Sequence, residues 1–460
     1  MKKSDIGLIG LAVMGQNFAR NIANKGNKIS VFNRTTETTN QFIKDHGNEN
    51  LVGTKTIKEF VNTLEKPRKI IVLVKAGEAV DLVIKSLLPL LEKNDIIIDC
   101  GNSNFEDTIR REKELSTKKI HFVGCGISGG EEGALNGPSL MPGGNKEAYK
   151  QIEPIFKKAA AKDFNNKPTI AHVGENGSGH FVKMVHNGIE YGVMQLIAEA
   201  YEILRSLYKL KPNQIADIFE KYNKGPLKSY LFEIATEVLN KKEGRKFVID
   251  LILDKAGQKG TGTWTATESL NRAVATPTIT QAVFARIISG EKETRTKLSK
   301  IYKTKNFKSF IPLKKLIPVL EEALYTSMLS CYAQGFDLIQ KSEWKINLSE
   351  MSRIWEGGCI IRADLLNTLH KAYKGNTSKH LFEIPELAKK LKKTSLSLRE
   401  ICAYTTLNGV PTPALTSSLN YFESMTSEKV SANMIQGLRD YFGAHTYERV
   451  DKKGSFHTQW

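Results

Sequence analysis

At 460 residues the chain has the length of two to three domains, and 40% hydrophobic with 25% charged residues is an ordinary globular composition. A formal net charge of +18 suits nucleic acid or phosphorylated small molecules, but the lysines are dispersed rather than gathered in a basic arm with interleaved aromatics, so no nucleic-acid partner is expected. No apolar run approaches the ~18–20 residues that span a bilayer, and five scattered cysteines without metal or redox spacing point to a reducing, cytoplasmic setting with no membrane partner and no metal.

Lys2, Lys3 and Asp5 lead into a short apolar run and a glycine turn, which reads as a first strand rather than a signal peptide. Short β-branched runs at 5–9, 28–32, 69–74, 95–99, 121–127 and 169–173 are predicted strands. Amphipathic stretches such as 79–91 and 105–115 lie between them. This alternation predicts an α/β, Rossmann-type, doubly wound parallel sheet over residues 1–177.

Beyond Gly179 long 3.6-period segments follow one another, so residues 178–435 are predicted to be all-helical. An internal duplication shows in this region: 198–204 (AEAYEIL) resembles 333–339 (AQGFDLI), and Ile218-Phe219 returns as Ile354-Trp355. Residues 436–460 turn polar and aromatic and are expected to be an extended C-terminal tail.

The turn after the first strand, Gly10, Leu11, Ala12, Val13, Met14 and Gly15, has the spacing of a dinucleotide-binding loop with Ala12 in the middle position. Such a turn aims backbone N–H groups and a helix N-terminus at a pyrophosphate. The second strand ends in Asn33, Arg34 and Thr35, where an NAD enzyme places a carboxylate. Arg34 can pair bidentately with a 2′-phosphate, and Asn33 and Thr35 can donate hydrogen bonds, so the cofactor expected is NADP. Val74, Lys75 and Ala76, with the loop that carries Asn102, follow two further strands and should border the nicotinamide half.

The stretch 178–191 is the most informative. Lys183, His186, Asn187, Glu190 and Tyr191 share one helical face, flanked by Phe181, Val182, Val185 and Ile189. A lysine and a carboxylate on a buried face turned into a cleft invite acid–base work. The matching positions of the second half are Pro318, Glu321, Glu322, Tyr325 and Thr326, so packing alone does not demand the polar set. Ser128, Gly129 and Gly130 could offer N–H groups to a carboxylate, and Lys259 with Thr261 forms a compact cationic turn suited to a phosphate. Arg286 and Arg439 are uninformative taken singly.

These motifs together resemble the long, dimeric, decarboxylating 6-phosphogluconate dehydrogenase family. The likeness runs from Asp5 to Tyr447 through GLIGLAVMGQN, NRT, VKAG, GISGGEEGA, GPSLMPGG, HFVKMVHNGIEYG, QKGTG, VFAR and RDYFGAHTYE. The resemblance implies that 6-phosphogluconate is oxidised and decarboxylated to ribulose 5-phosphate, in the oxidative branch of the pentose phosphate pathway, with NADP reduced. It implies that Lys183 is the general base and Glu190 the proton donor. Asn102, Ser128, Gly129, Gly130, His186 and Asn187 would hold the sugar acid, and Tyr191, Lys259, Thr261 and Arg286 its phosphate. Arg439 and His445 would come from the tail of the partner subunit of a homodimer. Thr263, where relatives usually carry Lys or Arg, and Thr276-Pro277 depart from the family pattern, with at most a change in affinity expected. The alternative is a β-hydroxyacid dehydrogenase that oxidises without decarboxylating. For the family chemistry Lys183 must be neutral, its pKa brought down from ~10.4 toward ~7–8 by burial and neighbouring cations.

Overall fold

The strands β1 (Ile6–Ile9), β2 (Ile29–Phe32), β3 (Leu51–Gly53), β4 (Lys69–Val72), β5 (Ile96–Asp99), β6 (His121–Ser128) and β7 (Ser139–Gly144) form one sheet in the order β3-β2-β1-β4-β5-β6-β7. The computed structural model describes residues 2–302, 310–375 and 379–460. Helices α1 (Val13–Asn24), α2 (Thr36–His46), α3 (Ile57–Thr63), α4 (Glu78–Leu87), α5 (Phe105–Ser116), α6 (Gly130–Asn136) and α7 (Lys146–Ala159) connect and cover the strands. The central strands are apolar throughout because both faces are covered. Ile6, Leu8, Ile96 and Ile98 share a core with Phe18 and Phe156, while Ile70, Val72, Ile97 and Phe122 share another with Phe60 and Val80. The strand order reverses between β1 and β4, which opens a crevice at their carboxyl ends.

Three features of the sheet differ from the sequence expectation, the first being the short edge strand β3, which was not among the expected strands. Its last strand, β7, runs antiparallel to β6, with Ser128 opposite Ser139. The expected strand at 169–173 is an extended segment that makes one isolated bridge, Leu140 to Ile170. β7 takes the edge of the sheet. A Cβ on Gly143 or on Gly179 would strike the other's backbone. The bare backbone there lets the long helix that follows lie directly on the sheet.

That helix, α8 (Ser178–Tyr208), opens a helical region that continues through α9 (Pro212–Tyr222), α10 (Tyr230–Asn240), α11 (Thr261–Asn271), α12 (Pro277–Gly290), α13 (Lys292–Ile301), α14 (Leu313–Gln340), α15 (Leu348–Ile354), α16 (Asp364–Ala372), α17 (Pro385–Leu407) and α18 (Pro413–Met425). The two long helices α8 and α14 pack on each other, with Gly335 against Ile189 and Cys331 against Gly192. Each is followed by a pair of shorter helices, α9–α10 and α15–α16, in the register of the sequence repeat. The halves meet in a reciprocal pair of hydrogen bonds: Tyr230 N donates to Arg362 O at 3.0 Å, and Asp364 N to Lys228 O at 3.1 Å.

The tail is not extended from Gln436. That residue lies inside α19 (Ala432–Gly443), which presents Met434, Ile435, Leu438, Tyr441 and Phe442 at 51–71% exposure. A helical apolar stripe had been masked in sequence by its polar and aromatic neighbours. Asp440 ties helix to chain end, its carboxylate accepting from Thr446 N, Thr458 N, His457 Nδ1 and Trp460 Nε1 at 3.0 Å each. These bonds hold its carboxyl down at about 2 despite burial.

Candidate active site

The glycine turn is sterically obligatory. Gly10 has φ +105°, and a Cβ there would collide with the Leu73 carbonyl, while one at Gly15 would collide with the Gly10 carbonyl. α1 starts at Val13 with no side-chain cap and no acidic residue in its first turn, so its N-terminal N–H groups and dipole face outward for an anion. Leu11 turns its side chain into the core and contributes backbone only.

Asn33 braces the turn, its Oδ1 accepting from Leu11 N at 3.1 Å and its Nδ2 donating to Thr35 O at 3.3 Å, and it lines the same cavity as Arg34 and Thr35. Arg34 and Thr35 are exposed on the rim of a cavity of about 560 Å³. Its far wall is Ala79, Leu82, Val83 and Ser86 of α4, which the sequence reading did not single out. A signal was present: Val80, Ile84 and Leu87 alone make the buried stripe, and Leu82, 55% exposed, is an apolar residue left over.

Past the turn lies a second cavity of about 640 Å³, lined by Met14, Val74, Lys75, Ala76, Cys100, Asn102, Ile127, Lys259 and Trp264. Val74 borders both cavities, so they follow one another along the strand ends. The loop carrying Asn102 is shaped by Asp99, whose carboxylate accepts from Gly101 N at 3.0 Å and Ser103 Oγ at 2.6 Å.

α8 sets its polar face against β6, beside Ile127, which lines this cavity. The Lys183 stem packs on Gly126 of β6, and the residue is 6% exposed. Burial lowers the Lys183 pKa, opposed by the charges of Glu190 and Cys359. Burial raises that of Glu190, opposed by Lys183 and Arg286. Desolvation disfavours both charged forms, so the lysine is biased toward free base and the carboxyl toward free acid.

His186 is fully buried, and burial followed by the Lys183 charge pulls it well below the usual histidine range. Its Nε2 lies 3.1 Å from Ser128 Oγ and its Nδ1 3.1 Å from Asn187 Oδ1. With Asn187 Oδ1 accepting, Nδ1 carries the proton and Nε2 accepts from Ser128. Ser128 Oγ in turn accepts from Ile360 N at 3.3 Å, and Trp355 meets the His186 ring edge-on at 5.6 Å. The segment 355–360 is thus part of the site, signalled in sequence only by Trp355 beside the Gly357-Gly358 pair.

Three of the expected phosphate ligands, Tyr191, Thr261 and Arg286, are brought together, while Lys259 lines the second cavity. Arg286 lies 3.4 Å above the Tyr191 ring, Thr261 is the first residue of α11, and Gly262 packs on Tyr191. Gly129 and Gly130 sit at the start of α6 just after Ser128. Thr263, at an expected departure from the family, is exposed. Arg439 and His445 have their contacts within the tail, with Gln436 and Phe442. A single chain does not bring them to the crevice. Among the described residues no group of three or more His, Cys, Asp or Glu could hold a metal.

Comparison with known proteins agrees over the whole length. The NAD binding domain of 6-phosphogluconate dehydrogenase matches residues 5–174, and the C-terminal domain of 6-phosphogluconate dehydrogenase matches residues 179–460. The chain is 47% identical over 468 aligned residues to a decarboxylating 6-phosphogluconate dehydrogenase of Lactococcus lactis, covering 100% of this chain and 99% of the relative. It is 46% identical to the NADP(+)-dependent, decarboxylating 6-phosphogluconate dehydrogenase of Bacillus subtilis, with 100% of both covered. The solved Plasmodium falciparum 6-phosphogluconate dehydrogenase, studied in its apo form, with NADP+ and with 6-phosphogluconate, superposes with a TM-score of 0.95 at 44% identity, covering 99% of this chain and 100% of that one.

Proposed function

The chain belongs to the 6-phosphogluconate dehydrogenase family, and from that membership we infer that it oxidises 6-phosphogluconate, releases carbon dioxide and reduces NADP to NADPH. It is an NADP-dependent, decarboxylating oxidoreductase. The observation that carries the reading is a nucleotide cavity rimmed by Arg34 and, packed on β6 beside Ile127 of the adjoining cavity, a helix face with a lysine biased to free base and a carboxyl biased to free acid.

The residues fit the cofactor. The Gly10 turn and the uncapped α1 N-terminus leave room and donors for its pyrophosphate. Arg34 and Thr35 would take the 2′-phosphate, Leu82 and Val83 the adenine face, and Val74, Lys75, Ala76 and Asn102 the nicotinamide half. NADP, when bound, supplies the hydride acceptor.

We assign the steps to this chain's residues as follows. Neutral Lys183 takes the proton of the hydroxyl β to the carboxylate as that carbon is oxidised. The lysine, now an ammonium, returns a proton to the new carbonyl oxygen while the bond to the carboxylate breaks and carbon dioxide leaves. Glu190, held as the acid, protonates C1 of the enediol while Lys183, neutral again, takes the proton of the C2 hydroxyl, giving ribulose 5-phosphate. Asn102, Ser128, Gly129, Gly130, His186 and Asn187 hold the sugar acid, and Tyr191, Lys259, Thr261 and Arg286 its phosphate.

We divide the chain into a nucleotide domain (1–177), a helical domain (178–435) and a tail (436–460), and propose a homodimer in which the tail's Arg439 and His445 complete the partner's phosphate site. The exposed apolar face of α19 supports this, since a lone helix gains nothing by leaving five large side chains in water. We place the protein in the cytoplasm, where its five unpaired cysteines belong. The deciding experiment is turnover of 6-phosphogluconate with NADP and with NAD, measuring carbon dioxide and nucleotide reduction together. NADPH formed without carbon dioxide would overturn the reading.

A further inference from the structure

Cys100 stands at the floor of the second cavity with Cys125 beside it on β6. β5 and β6 are parallel with Asp99 opposite Gly124, so these two cysteines are the next pair along. Their side chains point to one face of the sheet: Ile96, Ile98 and Cys100 share a core with Val123, Cys125 and Ile127, while Ile97 and Phe122 lie in the core on the other face. Neighbouring strands are ~4.8 Å apart, within the ~4.4–6.8 Å between Cα atoms that a disulfide bridges. Cys100 lines the cavity next to Asn102, whereas Cys125 lies wholly behind it.

We propose that Cys100 and Cys125 form an oxidisable dithiol, and that a small peroxide entering the open cavity converts it to a disulfide that stops turnover. Peroxide first transfers one oxygen to the Cys100 sulfur, giving a sulfenic acid and one water. The Cys125 sulfur then displaces that oxygen as a second water, so two thiols and one peroxide yield one disulfide and two waters. The two sulfurs lose two electrons and the peroxide gains them. Burial, the neighbouring thiol and Asp99 all push the Cys100 thiol well above its usual range. The pair is therefore slow to react near neutrality and faster as the solution becomes alkaline. Closing the bond draws Cys100 toward β6 and pulls on the Gly101-Asn102 turn that Asp99 shapes, so the loss falls on the substrate end of the crevice.

The proposal rests on the reading that this crevice is where 6-phosphogluconate is turned over, and the test separates the two. The full-length protein is treated with hydrogen peroxide, alkylated under denaturing conditions and digested, and the peptides are mapped alongside turnover. A Cys100–Cys125 linked peptide should appear in step with a loss of about tenfold or more, dithiothreitol should restore the rate, and NADP present during treatment should slow both changes. In Cys125→Ser the linked peptide should vanish and part of the loss should become irreversible, because a sulfenic acid with no resolving thiol goes on to sulfinic acid. Absence of the linked peptide in the wild type, a linked protein with unchanged turnover, or Cys125→Ser recovering as fully as the wild type would each overturn the proposal. Untreated protein that fails to turn over 6-phosphogluconate would instead count against the assigned activity.

Discussion

Glu199 and Gln334 do the same work with exchanged partners. Glu199 on α8 accepts from Ala414 N at 2.8 Å and Leu415 N at 2.9 Å, at the start of α18. Gln334 on α14 accepts through Oε1 from Thr278 N at 3.0 Å and Ile279 N at 3.4 Å, at the start of α12. Each half's long helix therefore caps a helix of the other half. Below both caps the pattern repeats again, Thr276 Oγ1 bonding Ser269 Oγ at 2.8 Å and Thr405 Oγ1 bonding Thr412 Oγ1 at 2.9 Å. The duplicated halves are interlocked and share one core.

The two caps differ in charge, and that difference should show in stability. Burial pushes the Glu199 carboxyl up to about 7 from an ordinary 4.5, against the two backbone donors and Gln195. The folded chain holds this proton more tightly than the unfolded one. Its contribution is therefore whole below about pH 4.5 and is lost as pH rises to about 7. The gap corresponds to at most about 3 kcal/mol. Glu199→Gln should flatten this dependence, so that thermal midpoints of variant and wild type diverge between pH 5 and pH 8 in the variant's favour. An offset that is the same at every pH would show that Glu199 does not titrate in that window.

Turnover should carry the opposite shifts of Lys183 and Glu190. The acid limb of kcat/KM should belong to loss of the Lys183 proton, displaced below an ordinary lysine, and the alkaline limb to loss of the Glu190 proton, displaced above an ordinary carboxyl. Lys183→Arg, which cannot become neutral, should lower kcat by about a thousandfold or more with NADP affinity nearly unchanged. Glu190→Gln should cost about 10²–10⁴-fold and remove the alkaline limb. A Lys183→Arg enzyme with near-normal kcat would rule out the proton route through this lysine.

Cofactor choice should reside in Arg34 and cofactor affinity in α4. A charge-assisted hydrogen bond is worth about 1.5–3 kcal/mol, so Arg34→Asp should raise the KM for NADP by about 10–150-fold and lower that for NAD. Leu82→Ala should weaken both nucleotides by a similar factor, because the adenine end is common to them. Steady-state kinetics with the two nucleotides separate these effects. An unchanged NADP to NAD ratio in Arg34→Asp would remove the role given to Arg34.

The proposed shared active site makes a prediction that no single-chain site can imitate. Arg439→Ala and Lys183→Ala should each be nearly inactive alone. In a mixed dimer one of the two sites receives an intact Lys183 and an intact partner tail. Statistical mixing of the two variants should then restore about a quarter of wild-type activity. No recovery after subunit exchange, verified by sedimentation, would mean that the tail serves another purpose.

Local chemistry made much of this protein legible in its sequence. The Gly10 turn, Arg34, the Lys183–Tyr191 face and the helical repeat are patterns whose signal lies within one or two elements, because glycine conformation and helical period are properties of neighbouring residues. What only the tertiary structure decided lies between distant segments. β7 takes the sheet edge because its glycines let α8 reach the sheet. Asn33 braces the turn because Leu11 N comes within reach of its side chain. The segment 355–360 enters the site from more than 200 residues downstream of Ser128, its Ile360 N–H ending on that hydroxyl. Glu199 and Gln334 cross-cap because the two halves pack face to face. Local pattern specifies each element's own hydrogen bonds and its buried stripe. Which stripe meets which is set by the shape and polarity of surfaces that exist only once the chain has folded.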